Sequence, residues 1–272
     1  MSRKRNKSKK EKFLLDVVVP TAGRYDILEK CLDALETQTV KTFNIYLIDG
    51  NEDIPDRNNH RELLEKYNAK MLGQNVGYPR LCNTGIAMGK APLVLLLTDD
   101  VLLSETAVDR MLETMKDDSI GMLGIKLLFP DDSVDPNRPA GKVQHIGLSM
   151  DVEANVIHPL VGWSANNPKC CVSRDVFGVT GACFVIRREL FNRAGGFDED
   201  YGLGTYEDVS LSLSVKAQGK RVYLDTDIIG HHHVGATAQK KNLGFPLRQN
   251  ANIFRAKWSN SGLFLYDSYK YY

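Results

Sequence analysis

The sequence predicts an α/β fold with a mainly parallel central sheet and helices on both faces. Two observations carry this. Short runs rich in Val, Ile and Leu alternate along the chain with stretches whose apolar residues recur at helical spacing. The runs are also apolar throughout, as strands covered on both faces are, and do not alternate with polar residues.

Residues 14–19, 43–48 and 93–97 are the first three such strands, each followed by polar or turn residues. Between them, Ile27, Leu28, Cys31, Leu32 and Leu35 define one amphipathic helix, and Leu63, Leu64 and Tyr67 a second. A third helix is expected from Pro79 to Met88. In the second half, strands are expected over 120–129, 143–150 and 175–187, the first ending at the turn Pro130-Asp131-Asp132. A helix over 104–115 precedes them. A short helix over 188–194 leads into Gly195-Gly196-Phe197-Asp198. A longer one runs from Glu207 to Gln218 and is closed by Gly219. Strands over 221–224 and 228–232 follow, and Phe254, Lys257 and Trp258 mark a docking helix near the end. The organisation expected is a tail (1–12), two halves of one domain (13–102 and 103–238) and a helical extension (239–272).

The 272 residues carry 35 Lys+Arg against 34 Asp+Glu, a net charge of +1 that averages two unlike parts. Residues 1–12 hold seven basic residues and one acid, a net +6, so the rest of the chain is near −5. Such a tail is solvated and disordered, or contacts anionic lipid. No nucleic-acid partner is expected. The longest apolar runs fall far short of the roughly 20 residues that a membrane helix needs. No signal-peptide core precedes the first strand. Five cysteines with no Cys-x-x-Cys pair imply neither a zinc site nor a disulfide framework, and fit reduced thiols in the cytoplasm.

In parallel sheets, ligands sit beyond the carboxyl ends of the strands. Those ends read Pro20-Thr21-Ala22-Gly23-Arg24, Asp49-Gly50-Asn51 and Thr98-Asp99-Asp100. Adjacent carboxylates at a buried strand end repel each other unless a cation or hydrogen-bond donors compensate, so Asp99-Asp100 reads either as a divalent-metal site or as a helix cap. Glu207-Asp208 opens a helix after Gly202-Leu203-Gly204, where carboxylates favour the helix dipole and one could also serve as a general base. In His231-His232-His233, strand alternation sets His231 and His233 on one side and His232 on the other. Asp49 could accept hydrogen bonds from a base or ribose. The loop from Gly73 to Arg80, with Asn75 and Gly77, enters a helix where a diphosphate could bind, although it is neither a P-loop nor a GxGxxG fingerprint.

Taken in order, these residues resemble the inverting glycosyltransferases of family 2, which have the GT-A fold with a Rossmann-like sheet; the likeness runs from about residue 14 to residue 260. Val17-Val18-Val19-Pro20-Thr21 and Leu47-Ile48-Asp49-Gly50-Asn51 look like the family's first two strands. Asn75-Val76-Gly77 through Asn83-Thr84-Gly85-Ile86 resembles its Asn-x-Gly…Asn-x-Gly helix entry, and Thr98-Asp99-Asp100 stands at its DxD-type motif. Val143-Gln144-His145-Ile146-Gly147 and His158 are similar to a subgroup acting on bacterial surface polysaccharides, with rhamnosyl-, galactosyl- or glucosyltransferase members. Val179-Thr180-Gly181-Ala182-Cys183, Gly195-Gly196-Phe197-Asp198-Glu199, Glu207-Asp208-Val209 and His232-His233 complete the order.

The resemblance implies an enzyme that moves a sugar from a UDP-, dTDP- or GDP-linked donor to a hydroxyl of a glycan or lipid-linked acceptor. It implies Mg2+ or Mn2+ held by Asp100 and His232, with His233 as second choice. Asp208 is then the catalytic base, with Glu207 beside it. Pro20, Thr21, Arg24, Asp49, Asn51, Asn75, Gly77, Arg80, Thr98 and Asp99 would contact the donor, and Trp163, Gly181 and Ala182 the acceptor. Two departures stand out. Thr98 occupies the position of a strict motif's first Asp, and no Gln-x-x-Arg-Trp segment is present, which argues against a processive synthase. The alternatives are a nucleotide-sugar or glycan-binding protein without turnover, and a sugar nucleotidyltransferase.

Overall fold

The computed structural model describes residues 14–151, 155–234 and 244–263. The basic tail and the stretch Gly235-Ala236-Thr237 lie outside the described residues. The first half runs β1 (Leu15–Thr21), α1 (Tyr25–Glu36), β2 (Phe43–Asp49), α2 (Ile54–Asn59), α3 (Arg61–Lys66), β3 (Lys70–Met71), α4 (Tyr78–Met88) and β4 (Leu93–Leu97). The second half runs β5 (Val101–Leu103), α5 (Ala107–Thr114), β6 (Ile120–Leu128), β7 (Val143–His145), β8 (Ser149–Met150), β9 (Val156–Ile157), β10 (Arg174–Asp175), β11 (Cys183–Arg187), α6 (Arg188–Arg193), α7 (Glu207–Ala217), β12 (Arg221–His232) and α8 (Leu247–Trp258).

One ten-stranded sheet threads both halves in the order β10-β12-β6-β11-β4-β1-β2-β3, with β5 added on β12 and β7 on β6. β3, β2, β1, β4, β6 and β12 run the same way. β11 runs against them between β4 and β6. The sheet is buried on both faces, as its unbroken apolar strands require. Val17, Val19, Leu95 and Leu97 meet α1 and α5 on one side, while Val18, Val94 and Leu96 meet α4, α6 and α7 on the other. Helix α4 can lie directly on β1 because Gly85 carries no side chain; a Cβ there would sit 2.4 Å from Val18 Cγ1.

Helix α7 is buried on two sides, with Leu211 and Val215 against the sheet and Val209 and Leu213 against Phe254 and Trp258 of α8. The docking helix read from Phe254, Lys257 and Trp258 is therefore present. No described helix is long and apolar enough to cross a membrane. None of the five cysteines forms a disulfide.

Three expected elements differ in extent. The strand expected over 175–187 divides into β10 and β11. The backbone of residues 179–181 between them is held by side chains, because Val179 N–H donates to Ser212 Oγ, Thr180 N–H to His145 Nε2 and Gly181 N–H to Asp208 Oδ2. The strand expected over 143–150 breaks into β7 and β8 around Gly147, whose φ of 105° leaves the extended region. The two strands expected at 221–224 and 228–232 are one strand, β12, with a register shift between Asp225 and Ile229.

Candidate active site

A cavity of about 390 Å³ opens where the co-directional strands end. β1 brings Pro20 and Thr21 to it, the turn after β4 brings Thr98, Asp99 and Asp100, and β12 brings His232. Because β11 is reversed, its beginning lies at this same edge. Cys183 pairs with Leu97, and Thr98 N–H donates to Ala182 O at 2.9 Å, which sets Thr180, Gly181 and Ala182 beside the acidic turn.

The acidic pair is differentiated by its donors. Thr21 Oγ1 donates to Asp99 Oδ2 at 2.6 Å, yet burial and the neighbouring Asp100 charge push the Asp99 carboxyl up to about 8. Burial acts on Asp100 in the same direction but is outweighed. The His232 ring and the Thr98 hydroxyl, which donates to Oδ1 at 2.7 Å, hold Asp100 below the usual carboxylate range.

His232 Nε2 lies 3.4 Å from Asp100 Oδ1, and Nδ1 donates to Gln144 Oε1 at 3.0 Å. The Gln144 amide thus fixes the ring so that Nε2 faces a carboxylate oxygen, and the two atoms could share a cation. Among the described residues no three His, Cys, Asp or Glu side chains are placed to hold a metal ion by themselves. The donor set fits a hard divalent ion that shares its coordination with phosphate oxygens and water, as Mg2+ and Mn2+ commonly do, and not a closed protein cage.

Across the cavity, Asp208 Oδ2 accepts from Gly181 N–H at 2.9 Å and Oδ1 from Val209 N–H at 2.7 Å. Burial pushes this carboxyl above its ordinary range despite the two amides. Each oxygen keeps a further lone pair for a ligand in the cavity that Asp208 lines. Glu207 is buried with Oε2 unpartnered, and burial together with the Asp208 charge raises its carboxyl well above the ordinary value. These residues open α7 from a strained approach: Thr205 (φ 82°) and Tyr206 (φ 69°) are both left-handed although they carry side chains.

The cavity thus gathers Pro20, Thr21, Asn75, Thr98, Asp99, Asp100, Gly181, Ala182, Glu207, Asp208 and His232. It does not gather the others. Asp49 is buried, accepting from Tyr25 Oη at 2.8 Å and from Asn51 N–H. Arg24 pairs with Asp26 at 3.1 Å, and Arg80 reaches toward Glu199 at 4.0 Å. Gly77 acts through backbone shape: its φ is 87°, and a Cβ there would fall 2.0 Å from Gly202 O. His233 donates its N–H to Asp100 O and its ring does not line the cavity. Trp163 is 42% exposed and does not line the cavity.

Sequence reasoning passed over several contributors. Tyr78 Oη donates to Gly181 O at 2.5 Å, Gln144 orients His232, and Leu203, Thr205, Val234 and Phe245 line the cavity walls. One signal was already present: His232 shares its strand parity with the buried Val222, Leu224 and Ile228, which marks it as the inward histidine.

The family model for glycosyl transferase family 2 matches residues 16–195. The chain belongs to glycosyl transferase family 2. The family match ends before Glu207-Asp208 and His232, so these cavity residues lie beyond it. Among family relatives, the chain is 28% identical over 239 residues to the O-antigen biosynthesis protein RfbC of Myxococcus xanthus, covering 82% of this chain and 17% of that one. It is 27% identical over 246 residues to the N-acetylglucosaminyl-diphospho-decaprenol L-rhamnosyltransferase of Mycobacterium tuberculosis, covering 83% and 78%. The fold is similar to GalNAc-T7 solved with UDP, GalNAc and Mn2+ (TM-score 0.61, 15% identity, 82% of this chain and 44% of that one). It is also similar to the mannosyltransferase PcManGT of Pyrobaculum calidifontis solved with GDP-Man and Mn2+ (TM-score 0.58, 14% identity, 93% and 72%). The sheet is therefore that of the GT-A fold, as the sequence resemblance implied.

Proposed function

We propose that this chain is an inverting glycosyltransferase that moves a sugar from a nucleotide-diphosphate donor to a hydroxyl of a glycan or lipid-linked acceptor. The observation that carries it is one cavity lined on one wall by Asp100 and His232 and on the other by Asp208. Residues 13–102 supply the donor side and residues 103–238 most of the acceptor side. Asp100 and His232 would hold Mg2+ or Mn2+, which when bound neutralises the charge growing on the leaving diphosphate.

Asp208 takes the proton of the acceptor hydroxyl as its oxygen attacks the anomeric carbon. The bond from that carbon to the diphosphate breaks with its electron pair on phosphate oxygen, and a single displacement inverts the centre. The two backbone amides fix the carboxylate in place, and its raised proton affinity suits a base. Glu207, beside the base and with Oε2 unpartnered, would orient the incoming acceptor. The diphospho-decaprenol in one relative's name supports a lipid-linked acceptor. The +6 tail would then contact anionic membrane at the cytoplasmic face, at about 1 kcal/mol per basic residue.

The test is a thermal-shift screen of UDP-, dTDP- and GDP-sugars with and without Mn2+, followed by transfer assays with the donor that binds. A Mn2+-dependent rise in Tm with one nucleotide class is expected. A folded protein that binds none of them overturns the reading.

A further inference from the structure

The segment that delivers Glu207 and Asp208 to the cavity is conformationally costly. Gly202, Gly204, Thr205 and Tyr206 all have positive φ, and two of these four carry side chains that disfavour it. Such a backbone persists only where its surroundings over-determine it. The restraint comes from far along the chain.

Asn250, in the first turns of α8, is completely buried. Its Nδ2 faces Gly204 O at 2.7 Å, Tyr201 O at 2.9 Å, Thr205 O at 3.0 Å and Thr205 Oγ1 at 3.1 Å. The opposite amide orientation would set Oδ1 against four oxygens, so the donor assignment is unambiguous. Two further contacts hold α8 against α7: Trp258 Nε1 donates to Ser210 Oγ at 2.9 Å, and the Phe254 ring lies 5.4 Å from that of Tyr206. Asn250 does not line the cavity itself.

We infer that Asn250 is a positioning residue for catalysis: it clamps the left-handed segment 204–206 and so sets where Asp208 points, making α8 a working part of the active site. The inference rests on the reading of Asp208 as the base. It also accounts for a fully buried amide beside the contact of α7 with α8, whose other polar link is the Trp258–Ser210 bond.

Steady-state transfer by the full chain, with hydrogen exchange on the same samples, tests the clamp. Asn250→Ala is expected to lower kcat about 10- to 100-fold while the donor KM stays within about twofold, because the base moves and the donor side does not. Adding Thr205→Gly, which removes the penalty for a left-handed backbone, should recover part of that loss. Trp258→Phe, which loses the bond to Ser210 but keeps the clamp, should leave kcat within about twofold of wild type. In wild type, the amides of Val209 and Ser210 should open to exchange together with those of α8. Should Asn250→Ala fail to fold, this wild-type exchange still decides. An α8 that exchanges long before the first turn of α7, or an Asn250→Ala variant with unchanged kcat, overturns the inference. Absence of transfer by wild type with every donor overturns instead the reading of the site, and the exchange result stands apart from it.

Discussion

Thr98 donates its hydroxyl to Oδ1 of Asp100 at 2.7 Å, the same oxygen that faces His232 Nε2 at 3.4 Å. A threonine at the first position of the acidic motif is thus a donor that orients the carboxylate, where an aspartate would be a third negative charge. Thr98→Val keeps the shape and removes the donor. The Mn2+ concentration for half-maximal transfer is expected to rise about 10-fold, as for other partners behind a metal ligand. His232→Ala should raise it further. A Mn2+ titration of activity checks both, and an unchanged midpoint for Thr98→Val would leave the hydroxyl without this role.

Asp208 is held by two backbone amides and lines the cavity opposite the acidic turn. Asp208→Asn keeps size and removes the base. Transfer should fall by at least about 100-fold, within the range attributed to general-base catalysis, while donor binding measured by calorimetry stays intact. Full activity in a folded Asp208→Asn protein would require another base.

Burial and the Asp208 charge raise the Glu207 carboxyl, so folding retains a proton that the unfolded chain releases above about pH 4.3. The native state binds more protons than the unfolded one over that window, and Glu207 therefore makes stability fall as pH rises toward its folded value. Glu207→Gln removes the slope. The variant's Tm minus that of wild type should grow as pH rises above about 5. A difference that does not change with pH would mean that Glu207 is ionised in the fold.

Asp16 is fully buried at the start of β1, where Oδ2 accepts from Arg188 Nη2 at 2.7 Å and from Ala91 N–H at 2.7 Å. Arg188 also donates to Ala91 O, so the pair joins β1, the turn before β4 and α6. Arg188→Ala strands a buried carboxylate and should cost about 3–5 kcal/mol in urea unfolding. A loss below about 1 kcal/mol, the value of an exposed pair, would show that solvent reaches Asp16 in the variant.

Much of this protein could be read without its structure. Helix and strand periods located α1, α4, α7 and the strands that build the sheet, because those signals depend on neighbours within a few residues. Asp100, Asp208 and His232 could be singled out for the same reason: each ends a strand or opens a helix, and motif order did the rest. The helix expected to dock near Phe254 and Trp258 was legible from its apolar spacing, but its task was not.

What the tertiary structure decided are pairings between distant residues. Nothing local says that β11 runs backward between β4 and β6, yet that reversal is what brings Gly181 to both the acidic turn and Asp208. Asp49 accepts from Tyr25, 24 residues before it, and neither Asp49 nor Trp163 lines the cavity. The clamp of Asn250 on residues 201–205 is of the same kind. Side-chain chemistry and local periodicity belong to the sequence. Which hydrogen-bond acceptor meets which donor across forty or a hundred residues is settled only when the sheet closes and buried polar groups must each find a partner.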